Sequence, residues 1–471
     1  MTTDEFAARF LLNLPFDPND QQVGLMAALS RFCSRDTPSD AVFLLAGYAG
    51  TGKTSVVGAL VRTLREAGVG CVLMAPTGRA AKVFAAFAGE QASTIHRRIY
   101  RPPTEDDPYM SMRTNTMRDT VFIVDEASMI GSDSAGDGRP GLLDDLIHYV
   151  YTGEGCRLIL LGDKAQLPPV GCVESPAMDP DVLRGFGLRV SRVILTETVR
   201  QTAGSGILDN ATRLRRAMRL PELPVPAIVT RGYDDVITLG GEDLAEFIES
   251  AYATDGIDET VVITRTNWRA SEFNAAIRGT ILYREEELCR DELLMVTKNN
   301  YYWSTKVRGL DFIANGDTAR VERVYGTEER YGLRFADVLL RFPYRDVDVE
   351  CKVVLDSLTS NSPALTQEDS QRLFNGCLND PERTVPSMPY GARVKRLRTD
   401  PYFNALQVKY GYAVTCHKAQ GGQWRNVVVD LTGIPADALT TIELYRWLYT
   451  ATTRATSCLV YLNPDGFRQR Q

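Results

Sequence analysis

Hydrophobic positions along this chain fall into short, nearly continuous runs, separated by longer stretches in which apolar residues recur every three or four positions. The runs at 41–46, 71–76, 121–126, 157–163 and 193–197 each end in polar or glycine-bearing residues. Unbroken apolar runs mark strands buried on both faces, as in a parallel sheet covered by helices. Segment 55–66, with Val56, Val57, Leu60 and Leu64 on one face and Gly68 just beyond its end, reads as the first of those helices. A second series at 261–266, 427–431 and 459–463 predicts a second α/β domain. Two stretches break the alternation. Residues 97–119 are polar and carry Pro102, Pro103 and Pro108, which predicts a loop or hairpin excursion. From about 285 to 408 the runs at 293–297, 318–324, 338–342 and 349–355 are short and β-type, with turn signals such as Asn315-Gly316-Asp317, and predict a small inserted β-barrel. Arg213, Arg215, Arg216 and Arg219 read as a solvated helix face.

Composition narrows the class without naming a reaction. The 471 residues suit about three domains with real cores. No run reaches the roughly 18 apolar residues needed to span a membrane, and residues 1–13 lack a signal-peptide layout. Nine cysteines are scattered without a Cys-x-x-Cys pair, as expected for free thiols in a reducing compartment. A net charge of −7 argues against bulk electrostatic binding of nucleic acid, although a local basic groove remains compatible with it. A cytoplasmic globular enzyme with no membrane partner is the expectation.

The chemistry enters at the ends of the strands. Gly47-Tyr-Ala-Gly-Thr-Gly-Lys-Thr54 fits G-x-x-x-x-G-K-[ST], between a strand and a helix. That geometry aims backbone N–H groups and a helix dipole at a polyphosphate, with Lys53 reaching the β- and γ-phosphates and Thr54 holding Mg²⁺. It predicts a nucleoside-triphosphate site built from Gly47, Gly50, Thr51, Gly52, Lys53, Thr54 and Ser55. Asp125 and Glu126 end an apolar strand downstream, where Asp125 suits a Mg²⁺ ligand and Glu126 a base for the attacking water. Asp163 and Gln166 end the next strand and are expected on the γ-phosphate side.

Taken in order, this chain resembles a known family. Its phosphate loop is followed by Ala75-Pro-Thr-Gly-Arg-Ala-Ala-Lys82, Thr94-Ile-His96, Asp125-Glu126-Ala-Ser, Gly162-Asp-Lys-Ala-Gln-Leu-Pro-Pro-Val170, Leu195-Thr-Glu-Thr-Val-Arg-Gln201, His417-Lys-Ala-Gln-Gly421 and Tyr449-Thr-Ala-Thr-Thr-Arg454. The series is similar to that of superfamily 1 DNA helicases, subgroup B, of the RecD and Dda type. The resemblance implies an α/β fold of tandem RecA-like P-loop domains, with an inserted β-hairpin and a small Src-homology-3-like barrel. The implied division is 1–96 with 120–195, a hairpin or pin at 97–119, 196–284 with 409–471, and the barrel at 285–408. It further implies ATP and Mg²⁺ as cofactors, with Gln22 reading adenine (Gln21 is the rival), Arg200 and Arg454 reaching the γ-phosphate, and Gly421 and Gln423 beside the nucleotide.

Single-stranded DNA would be contacted by Pro76, Thr77, Arg79, Thr94, His96, Thr264, Asn267, Thr415, His417 and Lys418. These hydroxyl, amide and imidazole groups suit phosphate oxygens and carry no base information. Tyr100 and Tyr109 are candidates for stacking at the pin, and Tyr301, Tyr302 and Trp303 for the barrel core or, alternatively, a DNA-facing surface. The implied activity is ATP-driven translocation on single-stranded DNA with 5′→3′ polarity and unwinding of tailed or forked duplexes by a monomer; RNA stays open as a substrate. An ATPase that moves without unwinding and a nucleotide-gated binding module are the rival classes. One position departs from the family's pattern: Gln423 stands where a glutamate often touches the ribose.

Overall fold

The computed structural model describes residues 2–34, 36–101, 111–131, 141–197, 204–307, 310, 312–343, 346–385 and 387–470. The chain divides into two compact units: Met1–Tyr100, Met112–Thr238 and Ala419–Gln471 form one, Arg101–Ser111 and Leu239–Lys418 the other.

The first unit is built on six parallel strands in the spatial order Ala92–Thr94, Cys71–Ala75, Val121–Val124, Arg157–Gly162, Ala41–Gly47, Arg189–Leu195. Strand Ala41–Gly47 shows why its pattern is continuous rather than alternating. Phe43 and Leu45 join the core under Val56, Leu60 and Leu64, while Val42, Leu44 and Ala46 join the opposite core with Leu143, Leu146 and Val150. Both faces are therefore apolar. The last strand differs from the expected 193–197: it begins at Arg189, ends at Leu195 and is largely exposed, as an edge strand with Ser191 and Arg192 can be. The three-residue strand Ala92–Thr94 is too short to carry a periodic signal. Strands Trp424–Asp430 and Ala455–Leu462 pair in parallel in this unit too, packed beside helix Ile442–Thr452.

In the second unit, the buried strand Thr260–Thr264 pairs in parallel with Ala413–Thr415. A closed barrel of Leu293–Val296, Thr318–Arg330, Leu333–Phe342, Val347–Val354 and Leu406–Tyr410 follows the expected β runs. Its long hairpin turns through Tyr331 (φ 58°) and Gly332 (φ 71°), the two left-handed residues that a tight hairpin needs. Helices Gln367–Leu378 and Tyr390–Leu397 were not expected within the barrel segment. They pack Leu373, Cys377 and Leu397 onto Leu333, Phe335 and Val354. Thr366 caps the first of them, accepting from Asp369 N at 3.1 Å. Beneath the barrel, fully buried Glu292 pairs with Arg278 (3.0 Å) and Arg284 (2.9 Å) and accepts the Tyr412 hydroxyl at 2.7 Å. All nine cysteines are free thiols. Among the described residues no helix is long and apolar enough to cross a membrane.

Candidate active site

Strand Ala41–Gly47 delivers its last residue into a loop that turns through Gly50 (φ 77°) and Gly52 (φ 79°) before helix Lys53–Glu66 begins. A Cβ on Gly47 would stand 2.8 Å from Lys53 Cδ, so only glycine lets the lysine fold back over the loop. Lys53 Nζ donates to the carbonyls of Gly47 (2.6 Å) and Tyr48 (2.9 Å), and the Thr51 hydroxyl donates to Tyr48 O at 2.8 Å. The loop thus holds its own cation over two of its carbonyl oxygens.

Gln22 braces the loop from inside. It is fully buried, its Nε2 donates to Thr51 O (3.2 Å), and its Oε1 accepts from Asn19 N (3.1 Å) in a capping box. Gln21 is held elsewhere, donating to the Thr196 hydroxyl at 2.9 Å and accepting from Thr196 N at 2.8 Å.

Strand Val121–Val124 ends at Asp125, whose N–H donates to Met74 O (3.0 Å) and whose Oδ1 accepts from Glu126 N (2.8 Å). Glu126 sits in the left-handed region (φ 51°, ψ 36°), a strained choice for a non-glycine residue that turns its carboxylate off the strand axis. Burial first, then the charge of Glu126, push the Asp125 carboxyl up to about 7, with Lys53 opposing. Asp163 and Gln166 follow strand Arg157–Gly162, and both are buried. Asp163 Oδ2 accepts from Ala49 N (3.1 Å) and from the Tyr449 hydroxyl (2.6 Å), and that hydroxyl in turn accepts from Ala49 N (2.9 Å). Gln166 Oε1 is shut off from solvent and has no hydrogen-bond partner among the described residues.

Arg454, just past helix Ile442–Thr452, is 4% exposed; its guanidinium donates to Thr450 O (3.0 Å), Gly422 O (3.2 Å) and the Thr453 hydroxyl (3.2 Å). Two further bonds tie these elements together: Leu167 N donates to the Thr450 hydroxyl (2.9 Å), and Gln420 Nε2 donates to Leu167 O (2.7 Å).

These groups converge. One cavity of about 330 Å³ within the first unit is lined by the loop residues together with Asp125, Glu126, Asp163, Gln166, Gly421, Gln423 and Arg454. Arg200 and Tyr109 lie outside the described residues.

Five contributors escaped the sequence reading. Phe16 and Tyr48 line the cavity, and Tyr449 bridges Asp163 to the loop. The Arg215 guanidinium lies 4.1 Å from the Tyr48 ring centroid, and Arg219 donates to the Tyr48 hydroxyl at 2.8 Å. Arg215 therefore leaves the expected solvated face, because the loop's aromatic side chain covers that part of helix Gly206–Ala217, while Arg219, beyond the helix end, stays exposed. The alternation of polar residues on a helix says which face is polar, not what passes over it.

The candidate strand contacts divide between the units. In the first, Pro76 and Thr77 lead into helix Gly78–Ala88, with Thr77 Oγ1 accepting from Ala80 N (3.2 Å), and Thr94 caps the next helix by accepting from Arg97 N (3.2 Å). Arg79 stacks 3.6 Å over Trp424 and donates to Gln423 O at 3.1 Å. His96 stands 5.6 Å from Tyr100, ring to ring, and burial lowers its pKa. The Tyr100 hydroxyl donates to Asp145 at 2.5 Å.

In the second unit, Thr264 and Thr415 are register partners at the carboxyl ends of adjacent parallel strands, with Asn267 opening the following helix. That edge is where open α/β sheets place ligands. His417 is exposed, yet desolvation by the surrounding protein lowers its pKa. The Lys418 ammonium is shut off from solvent with no hydrogen-bond partner among the described residues, and burial lowers its pKa to about 8.

Comparison with known proteins matches residues 22–220 to an AAA domain and residues 410–461 to a UvrD-like helicase C-terminal domain. The ATP-dependent RecD2 DNA helicase of Deinococcus radiodurans is 34% identical over 171 residues, covering 36% of this chain and 21% of that protein. The ATP-dependent DNA helicase dda of Enterobacteria phage T4 is 25% identical over 257 residues, covering 53% of this chain and 55% of that one. The chain thus spans about a fifth and about half of these two relatives. A solved structure of the Pif1 helicase from Bacteroides aligns over 95% of this chain and 92% of its own at 16% identity, with a TM-score of 0.46.

Proposed function

The chain belongs to the RecD/Dda type of superfamily 1 DNA helicases, subgroup B, and from that we propose that it hydrolyses ATP to move 5′→3′ along single-stranded DNA and to separate tailed or forked duplexes. The observation that carries the reading is the convergence of Lys53, Asp125, Glu126, Gln166 and Arg454 on one cavity.

In this reading Lys53 exchanges the Gly47 and Tyr48 carbonyls for β- and γ-phosphate oxygens, while the first N–H groups of helix Lys53–Glu66 face the same phosphates. Thr54 and Asp125 would hold Mg²⁺, which supplies charge neutralisation at the β- and γ-oxygens. The donor set fits, since the hydroxyl and the carboxylate are hard oxygen ligands.

Gln166 Oε1 orients the water that attacks the γ-phosphorus, and Glu126 takes that water's proton as the bond to the β–γ bridging oxygen breaks. Arg454 balances charge on the γ-oxygens, with Arg200 as its assigned partner. Phe16 borders the adenine and Gln423 meets the ribose as a neutral amide, while Gln22, which does not line the cavity, braces the loop through Thr51.

Movement requires that ATP bind the closed form better than the open one, since only that difference shifts the equilibrium. The route we propose for the coupling is Gln166–Leu167–Gln420, because Gln420 follows the strand contacts His417 and Lys418 by three and two residues.

The test uses matched 5′- and 3′-tailed duplexes, with and without ATP, beside DNA-stimulated phosphate release. Lys53→Ala and Glu126→Gln should abolish both activities. Displacement on 3′ tails alone would refute the polarity, and DNA-independent hydrolysis without displacement would refute the motor.

A further inference from the structure

The second unit holds a cavity of about 480 Å³ between the loop after strand Leu293–Val296 and the turn that enters strand Leu406–Tyr410. Tyr301, Tyr302 and Phe403 give it aromatic walls, Lys298 and Arg398 bring positive charge, and no carboxylate among the described residues lines it. In a chain of net charge −7 that is a local reversal of sign. The helices absent from the sequence reading complete it, through Ser370 and Leu373 on one side and the segment after Leu397 on the other.

The walls are braced against each other. The Asn404 carbonyl accepts from Asn300 Nδ2 (2.8 Å) and Trp303 Nε1 (2.7 Å), and Asn404 Nδ2 donates to the carbonyls of Leu397 (3.0 Å), Arg398 (3.1 Å) and Asp400 (2.8 Å). Asn300 Oδ1 accepts from Tyr302 N (3.1 Å) and Trp303 N (3.2 Å), and Gln407 Oε1 accepts from Leu365 N (3.1 Å). Tyr301 stacks on Phe312 with centroids 5.2 Å apart.

The amides of Asn300 and Asn404 and the Gln407 side-chain oxygen are therefore occupied in holding the loops. Aromatic surface and cationic side chains are what the cavity offers a ligand. Those groups take a flat ring of any identity together with a phosphate, and a preformed cavity spares the cost of ordering it on binding. Phe403, 37% exposed, and the exposed Lys298 stand at the rim, where a chain can enter and leave.

We infer that this cavity takes one unstacked nucleotide of single-stranded DNA, with its base against Tyr302 and Phe403 and its phosphate toward Lys298 and Arg398. The barrel unit thereby gains a sequence-tolerant grip distinct from the Thr264, Asn267, Thr415, His417 and Lys418 group. The inference rests on the single-strand reading above.

The experiment uses the full chain and oligothymidine carrying one 5-iododeoxyuridine, photocrosslinked and mapped by mass spectrometry. Affinity is read by fluorescence anisotropy, and dTMP is added as competitor. Crosslinks should fall on peptides containing Tyr302 or Phe403. The double variant Lys298→Glu/Phe403→Ala should bind the oligonucleotide about tenfold more weakly, with DNA-free ATP hydrolysis unchanged. Lys298→Glu alone keeps the aromatic wall, and should lower the salt slope of binding by about one. Parental affinity and slope with no crosslink at this cavity would overturn the inference and leave the motor intact. Competition by dTMP at oligonucleotide-like concentrations would overturn the assignment to a strand. Failure of the parent chain to bind single strands would overturn both readings.

Discussion

Tyr449→Phe removes one oxygen atom from the centre of the candidate active site and leaves the buried ring in place. That hydroxyl donates to Asp163 Oδ2 at 2.6 Å and accepts from Ala49 N at 2.9 Å. A hydrogen bond to a buried carboxylate contributes about 1.5–3 kcal/mol net. The Ala49 amide keeps Asp163 Oδ2 at 3.1 Å, and Asp163 Oδ1 keeps Ala165 N at 2.9 Å, so neither group is orphaned. The loss of stability should therefore sit toward the lower end, at about 2 kcal/mol. Because Ala49 belongs to the phosphate loop, slackening its anchor should also lower kcat/KM for ATP about tenfold. Burial and the Asp163 charge hold the Tyr449 phenol far above its ordinary value, so it stays a donor and the defect should not change between about pH 6 and 9. Denaturant unfolding of the nucleotide-free protein and steady-state hydrolysis with saturating oligonucleotide measure the two effects. Stability within about 0.5 kcal/mol of the parent together with kcat/KM within about twofold would refute the bridge as a working element.

Asp125 titrates near 7 in the folded chain against an ordinary 3.8, so the folded state holds a proton that the unfolded chain releases. This stabilisation is complete below about pH 4 and is gone above about 7; the denaturation midpoint without nucleotide should fall between about pH 4 and 7, and Asp125→Asn should flatten that slope. Lys418, lowered to about 8 by burial, should gain its full charge beside a phosphate, so affinity for single strands should decline from about pH 7.5 to 9.5 and lose that dependence in Lys418→Arg; a pH-independent isotherm for the parent would remove Lys418 from the interface. Glu292→Ala strands Arg278 and Arg284 beneath the barrel and should cost about 3–5 kcal/mol in equilibrium unfolding. A loss under about 1 kcal/mol would mean that water reaches those guanidinium groups.

Much of this protein could be read from its residues in order. Four apolar runs became parallel strands because continuous hydrophobicity is what two covered faces require, and Ala41–Gly47 divides its side chains between two cores. Glycines at 47, 50 and 52 announced a phosphate-type loop because backbone conformation is a local property, and Gly50 and Gly52 do take positive φ. The edge strand Arg189–Leu195 and the three-residue Ala92–Thr94 were displaced or missed for the complementary reason: exposure and shortness erase periodicity. The helices at Gln367–Leu378 and Tyr390–Leu397 were hidden by the surrounding β pattern, although Thr366 and Asp369 marked a helix start.

Local pattern determined the strand series, the glycine loop and the order of polar strand ends, since each is encoded within a few consecutive residues. The folded chain alone decided that Tyr449 would hold both Asp163 and Ala49, from 286 and 400 positions away, and that Arg215 would lie on Tyr48. It also decided that loops about a hundred residues apart, joined through Asn300 and Asn404, would enclose an aromatic cavity. Such pairings follow from how packed elements meet, and no spacing along a single strand or helix carries that information.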